Sequence, residues 1–414
     1  MSGLSAVEVE VLDRLDLERI VADTAELIRA RGENPGETEA ATVEVLASLC
    51  ERAGAQVTLT EVAPGRHNLL AQLGSGDGPA LLFLGHSDVV PAGAGWLGDP
   101  FEPRLVNGML IGRGAVDMKG GLAAVVAAMS AVHAERPEIR LALLCTVDEE
   151  DTATGALRYI ADAPTARELR AEGDPAPYSA CIVAEPTGLD TVVACRGATN
   201  LIITLRGAAA HAGNPADGAN AITAAAIAVQ AIEDDARRIA QLSAAVPGLI
   251  GTGSWNVGMI AGGHGTSIVA EECTLYVDRR VLPDEEPEEI LDEVLARIRS
   301  AIAGSEMLNG DRVTVTGHLD MAMPGFLTPP DSAVPAAAVR AVEDAGGTSN
   351  IGGWSAACEG GFIARHHEVP VVILGPGDIK TQAHQPEERV QVADLLLAAR
   401  AYALIALRLQ EASR

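Results

Sequence analysis

Seven positions in this 414-residue chain carry side chains suited to hydrolytic chemistry, each at the end of an apolar run or in a Gly/Pro loop. His86 and Asp88 follow "LLFLG" and share a face, because residues two apart on a strand point the same way. They suit a metal-ligating histidine with a carboxylate fixing its ring, or simply a strand-end histidine capped by an acid. Asp117, in "GRGAVDMKGG", stands at a helix start, where a carboxylate commonly caps. Glu149 and Glu150 end "LLCTVDEE", Glu185 ends "CIVAE", and His384 lies in "GPGDIKTQAHQPEE". Taken singly, each has an ordinary reading as a cap or a solvated acid. Taken together, His86, Asp117, Glu150, Glu185 and His384 are a ligand set on one sheet edge. Imidazole and carboxylate donors suit zinc, and a catalytic zinc keeps one position open for water. Five donors serve two tetrahedral ions when one carboxylate bridges them, and such pairs activate water against a scissile bond. One acid must stay off the metals to take the water's proton. In the doublet, Glu150 binds and Glu149 abstracts; the turn at a strand end relaxes the alternation that would point them apart.

These residues need a frame. Helical periodicity from about 8 to 31 stops at "ARGENPG". Three strand-like runs follow, "QVTLTEV", "HNLLAQL" and "ALLFLGH", and the glycines of "GSGDG" suit a hairpin between the second and third. A helix rich in Ala and Val, "AVDMKGGLAAVVAAMSAVHAE", and the buried strands "IRLALLCTVDEE" and "ACIVAEPTG" come next. This alternation predicts an α/β fold, a mixed sheet with helices on both faces, whose ligands gather at the strand carboxyl ends. From about 196 a β-α-β-β-α-β order marks a compact α+β module. The expected division is residues 1–195 and 318–414 as one domain, with 196–317 inserted.

Bulk properties narrow the class. A formal charge of −27 disfavours nucleic acid and anionic membranes as partners. The six cysteines form no CxxC pair and several fall in apolar runs, which reads as buried thiols in a reducing compartment. The N-terminus has no basic segment followed by an apolar one, and no stretch approaches membrane-span length, so the expected location is cytoplasmic. "GAGWLG" at 93–98 fits GxGxxG but opens no helix and meets Pro100, so a dinucleotide site is not expected. Cys358 reads as core and not as a nucleophile.

The motifs "GHSDVVPAG", "GRGAVDMKGG", "DEE", "EPT", "RGAAAHAGNPADGANAI", "NVGMIAGG", "DRRVLP" and "GPGDIKTQAHQPEE" occur in that order between about 15 and 410. In this the chain resembles the dinuclear zinc amidohydrolases that include acetylornithine deacetylase, succinyl-diaminopimelate desuccinylase, aminoacylase and glutamate carboxypeptidase. The resemblance implies that His86, Asp117 and Glu185 hold one zinc. It implies that Asp117 bridges to a second, held by Glu150 and His384. Asp88 would orient His86, and Glu149 would be the general base. The inserted module resembles the family's lid or dimerisation domain, where the histidine matching His211 reaches the partner subunit's site and stabilises the oxyanion. Arg280 matches the arginine that holds the substrate carboxylate, a task suited to a guanidinium fork. Gly375 matches a pocket-lining glycine, and Glu359 falls where acetylornithine deacetylase has a glutamate. "GGHGTSIVA" departs from the pattern, with Ser267 and Ala270 in place of the usual Asn and Pro.

The function these readings imply is hydrolysis of an N-acyl amino acid by a homodimer carrying two divalent ions, zinc or cobalt, nearest to acetylornithine deacetylase. Desuccinylase, aminoacylase and carboxypeptidase or dipeptidase activities use the same machinery with another pocket. A non-catalytic ligand- or metal-binding dimer is the alternative of a different class, and retention of Glu149 speaks against it.

Overall fold

The computed structural model describes residues 3–242 and 250–412. They divide into two compact units, one of Met1–Ala194, Leu327–Gly352 and Phe362–Arg414, the other of Cys195–Phe326 and Gly353–Gly361.

The larger unit opens with α1 (Ala6–Asp13) and α2 (Leu17–Arg29) where one helix is predicted. The division comes from capping: Asp16 accepts the Glu18 N–H at 2.9 Å and restarts the chain as a second helix. Next come α3 (Ala40–Arg52), absent from the sequence reading, and strands β1 (Gln56–Ala63), β2 (Arg66–Leu73) and β3 (Ala80–His86). Short β4 (Arg104–Val106) and β5 (Met109–Ile111) precede α4 (Lys119–Glu135), β6 (Leu141–Thr146), α5 (Thr154–Asp162), α6 (Ala166–Glu172), β7 (Tyr178–Val183) and β8 (Thr191–Cys195).

The smaller unit is β9 (Gly197–Arg206), α7 (Ala221–Ala240), β10 (Ser254–Gly262), β11 (Glu272–Val281), α8 (Pro287–Ala303) and β12 (Thr314–Met323). Its four strands run in the order β10-β11-β9-β12, all antiparallel. Alternate residues of β9 and β11, Leu201, Ile203, Leu205, Leu275 and Val277, form a core with Ala224, Ala228, Ile232, Val294 and Ile298 of the two helices. The unit reaches Phe326, beyond the 317 expected, because β12 continues past His318 to Met323.

The chain then supplies β13 (Phe326–Leu327), α9 (Ala333–Asp344), β14 (Ile351–Trp354), α10 (Gly360–His367), β15 (Val371–Ile373), β16 (Arg389–Gln391) and α11 (Val392–Ala412). Among the described residues the large sheet has nine strands, with β1-β2-β6-β3-β7-β15-β8-β13 in sequence across it and β14 beside β8. β1 and β2 form the hairpin, whereas "GSGDG" joins strands that do not pair: β6 lies between β2 and β3. β6, β3, β7 and β15 are mutually parallel neighbours. Every residue of β3, β6 and β15 is buried, as expected of parallel strands covered on both faces. Parallel direction puts the residues after Gly85, Thr146, Val183 and Ile373 on one edge. All six cysteines are buried. Among the described residues no helix is long and apolar enough to cross a membrane.

Candidate active site

His86 closes β3, in register with Thr146 of β6. Its Nε2 lies 3.1 Å from Asp117 Oδ1 and 3.3 Å from Glu185 Oε1. Its Nδ1 faces Asp88, 3.1 Å from the backbone oxygen and 3.4 Å from Oδ1. The carbonyl is therefore the nearer partner of the ring, and the carboxylate has further duties. Asp88 accepts N–H bonds from Glu149 and Glu150 and one from the Asn34 side chain. His384 completes the other side, its Nε2 being 3.3 Å from Asp117 Oδ2 and 3.1 Å from Glu150 Oε2. All these residues belong to the larger unit.

Asp117 is not a helix cap. α4 begins at Lys119 with Met118 as N-cap and no side-chain cap bond, and the Asp117–Met118 peptide is cis. Its carboxylate instead stands between two imidazoles, one oxygen to each. The acid doublet follows a sharp turn, since Asp148 has φ 66° and is buried. Asp148 accepts from Asn34, Arg66, Thr152 and Thr154, and Arg66 also pairs with buried Glu39. This net turns the chain out of β6 so that adjacent acids need not alternate. Sequence reasoning passed over Asn34, Glu39, Arg66 and Asp148. Asn34 lay in a segment read as a helix stop, and Asp148 stood next to the acids that drew attention.

Gly375 acts through its missing side chain: a Cβ there would meet the backbone oxygens of Ala184 and Glu185 at 2.5 Å. With only hydrogen at this position, the segment after β15 lies directly on the one that carries Glu185. Its oxygen accepts from Thr187 and Leu189 N–H, tightening the same turn.

Three features of this arrangement suit a divalent cation. His86, Asp117 and Glu150 each offer a ligand atom within 4.8 Å of the others. Glu150 Oε1 is buried with no hydrogen-bond partner among the described residues. The protonation pattern is that of a site short of positive charge. Burial and the neighbouring Asp117 raise Glu185 to about 7. Bonds to Asp117 and Glu150 raise His384 to about 10. Burial opposes a charged His86, but Asp117, Asp88 and Glu185 outweigh it and hold the ring well above its ordinary value. Asp117 is pulled down against its burial by the two imidazoles. A bound cation would supply that positive charge, and its binding would release protons from the imidazoles.

The other expected residues lie in the smaller unit. His211 is exposed, and its Nδ1 accepts the Gly213 N–H at 3.0 Å, which makes Nε2 the protonated nitrogen of the neutral ring. The departing segment lies alongside: Ile268 bridges to His211, and the Ser267 oxygen accepts the Ala212 N–H at 3.0 Å. Ala270 is buried, and its oxygen accepts from Ala221, the first residue of α7. Arg280 is half-buried and donates to Asp278 at 3.1 Å, whereas its neighbour Arg279 is buried against Glu285. Glu359 is buried.

Residues 82–408 match the model of peptidase family M20/M25/M40. The acetylornithine deacetylase of Proteus mirabilis is 30% identical over 372 residues, covering 88% of this chain and 89% of that one. Among solved structures, an aminopeptidase PepT from Bacillus cereus superposes with a TM-score of 0.72 at 23% identity, over 97% of this chain and 100% of the other. A dinuclear metal-binding peptidase of the M20 family from Bacillus subtilis superposes with a TM-score of 0.67 at 14% identity, over 95% and 98%.

Proposed function

This chain belongs to peptidase family M20/M25/M40 and is a metal-dependent amidohydrolase, and we propose that its substrate is an N-acyl amino acid. The observation that carries the reading is the placing of Asp117, one carboxylate oxygen toward His86 and the other toward His384. His86, Asp117 and Glu185 would hold one ion; Asp117, Glu150 and His384 would hold the second. Zinc suits this donor set and cobalt can replace it. When bound, the ions supply the Lewis acidity that makes water a nucleophile near neutral pH. Glu149 takes the proton from the attacking water and returns it to the leaving amine. The developing oxyanion is held by His211 of the partner subunit, whose Nε2–H is the donor. Arg280 binds the α-carboxylate as a fork, and Glu359 attracts a cationic side chain such as that of ornithine.

The relatives named acetylornithine deacetylase support this choice of substrate, and Ser267 and Ala270 beside His211 are where this chain would differ from them. A homodimer is supported by the edge strand β10, where Met259 and Ile260 are 61% and 56% exposed, and by exposed Ile268. A two-chain assembly would cover apolar surface that an edge strand otherwise leaves open to aggregation.

The test is amine release from N-acetylornithine, N-acetylmethionine, N-succinyl-diaminopimelate and small dipeptides, with metal content measured on the same protein. N-acetylornithine should give the highest kcat/KM, and Glu359→Gln should lower its rank. If the ornithine compound is the poorest of the set, the substrate reading fails. Activity that survives complete chelation, with no metal bound, would overturn the metal-dependent mechanism.

A further inference from the structure

We propose that Glu388 is the positioning residue that sets Asp117 between the two histidines, an inference that rests on the two-ion reading above. Glu388 is 1% exposed, four residues beyond His384, and immediately precedes β16. Its Oε1 accepts two backbone N–H groups, Val116 at 2.8 Å and Asp117 at 3.1 Å. Its Oε2 accepts Arg113 Nη1 at 2.6 Å. Its backbone oxygen accepts the Gly112 N–H, and β16 continues the contact by pairing with β5, Arg389 opposite Ile111. One residue thus grips the loop 112–117 at four points while belonging to the segment that supplies His384.

The consequence for the site is geometric. Asp117 has a short side chain with only χ1 and χ2, so the reach of its carboxylate is set by where its own peptide lies. Fixing that peptide through its N–H fixes where Oδ1 and Oδ2 fall, and those oxygens must reach two different imidazoles 3.1 and 3.3 Å away. Because the clamp starts four residues from His384, it also holds Asp117 and His384, two of the three residues that would hold the second ion, in mutual register. Buried Arg113 keeps the carboxylate in place: its Nη2 lies near the Pro91 and Ala92 oxygens, and its guanidinium sits over the Trp96 ring at 5.4 Å. Outer partners of this kind typically change metal affinity by ~10–100-fold when removed.

An ion pair that only stabilised the fold would be lost equally in two double variants, Arg113→Met with Glu388→Gln and Arg113→Met with Glu388→Leu. The first keeps an oxygen for the two N–H groups; the second does not. Metal per chain, the cobalt absorption spectrum and amide exchange of peptide 112–122 in the metal-free protein are compared with wild type. The glutamine variant should bind two ions with near wild-type affinity. The leucine variant should exchange the 112–122 amides faster and bind its second ion ~10–100-fold more weakly. Wild type with two ions and a leucine variant that matches it in affinity and exchange overturns the role of Glu388. Wild type with fewer than two ions overturns the two-ion reading itself. If the leucine variant does not fold by circular dichroism, Glu388→Asp decides, since it keeps the charge but withdraws the acceptor by one carbon. Faster exchange and a weakened second ion in that variant support the clamp; wild-type behaviour rejects it.

Discussion

Asp88 Oδ2 accepts the backbone N–H of Glu150 at 3.1 Å. The carboxylate beside the His86 ring therefore also holds the turn bearing the acid doublet, so one buried side chain positions His86 and the doublet together. Its charge is stabilised against burial by His86, Asn34 and these amides, which keep its pKa below the ordinary value. Asp88→Asn presents an NH2 where N–H donors already point. It should weaken metal binding and lower kcat, each by about 10–100-fold. Metal titration and steady-state kinetics on the same preparation decide this, and a variant with wild-type affinity and kcat would remove Asp88 from both roles.

Within the doublet the two acids should separate by phenotype. Glu149→Gln should keep both ions and lose about 10²–10⁴-fold in kcat, the usual contribution of a positioned base. Glu150→Gln should lose metal, because its Oε2 is the partner of His384. Elemental analysis with kinetics reads this directly, and the opposite pattern reverses the assignment.

Gly375→Ala should disturb the site without touching a ligand side chain. The added methyl would meet the Ala184 and Glu185 oxygens, and overpacking of this kind costs about 1–3 kcal/mol. A lower Tm and fewer bound ions are expected. Unchanged Tm and metal content would show that the segment after β15 shifts freely.

If His211 acts across a dimer, inactive His211→Ala and inactive Glu149→Gln subunits should complement each other when mixed. A hybrid carries one site with both wild-type groups, so activity should return toward about a quarter of wild type: half the dimers are hybrid and each has one complete site. Mass spectrometry of the mixture establishes subunit exchange. Exchange without recovered activity means that each chain completes its own site.

His367 gives the fold a pH dependence of its own. Burial and nearby His366 lower it to about 4, and its Nε2 meets the Tyr159 hydroxyl at 3.1 Å. As pH falls from about 6.5 to 4 the unfolded chain takes up a proton there that the folded one refuses. Stability present above 6.5 is thus lost through that window. With allowance for solvent screening the loss is on the order of 1 kcal/mol. Thermal melts of wild type and His367→Gln between pH 7 and 4.5 should show the shallower slope in the variant. Parallel slopes would assign the acid sensitivity elsewhere.

Much of this protein was legible from periodicity and residue type. Continuous apolar runs at 81–84 and 141–145 announce strands buried on both faces, and polar residues just beyond such runs must emerge at a sheet edge, where ligands collect. His86, Glu149, Glu150 and Glu185 stand out in the sequence for this reason, and the β-α-β-β-α-β order of the smaller unit is the one observed. Only the tertiary structure decided that β6 enters between β2 and β3, because strand partners 60 or more residues away leave no mark in a local turn such as "GSGDG". The same holds for Asp117, whose sequence neighbourhood signals a cap while its partners, His86 and His384, come from 31 residues before it and from the far end of the chain. Asn34, Asp148 and Glu388 stayed hidden for one physical reason. A buried polar side chain is defined by the donors and acceptors folded around it, and hydrogen bonds between distant segments have no period for a sequence to display.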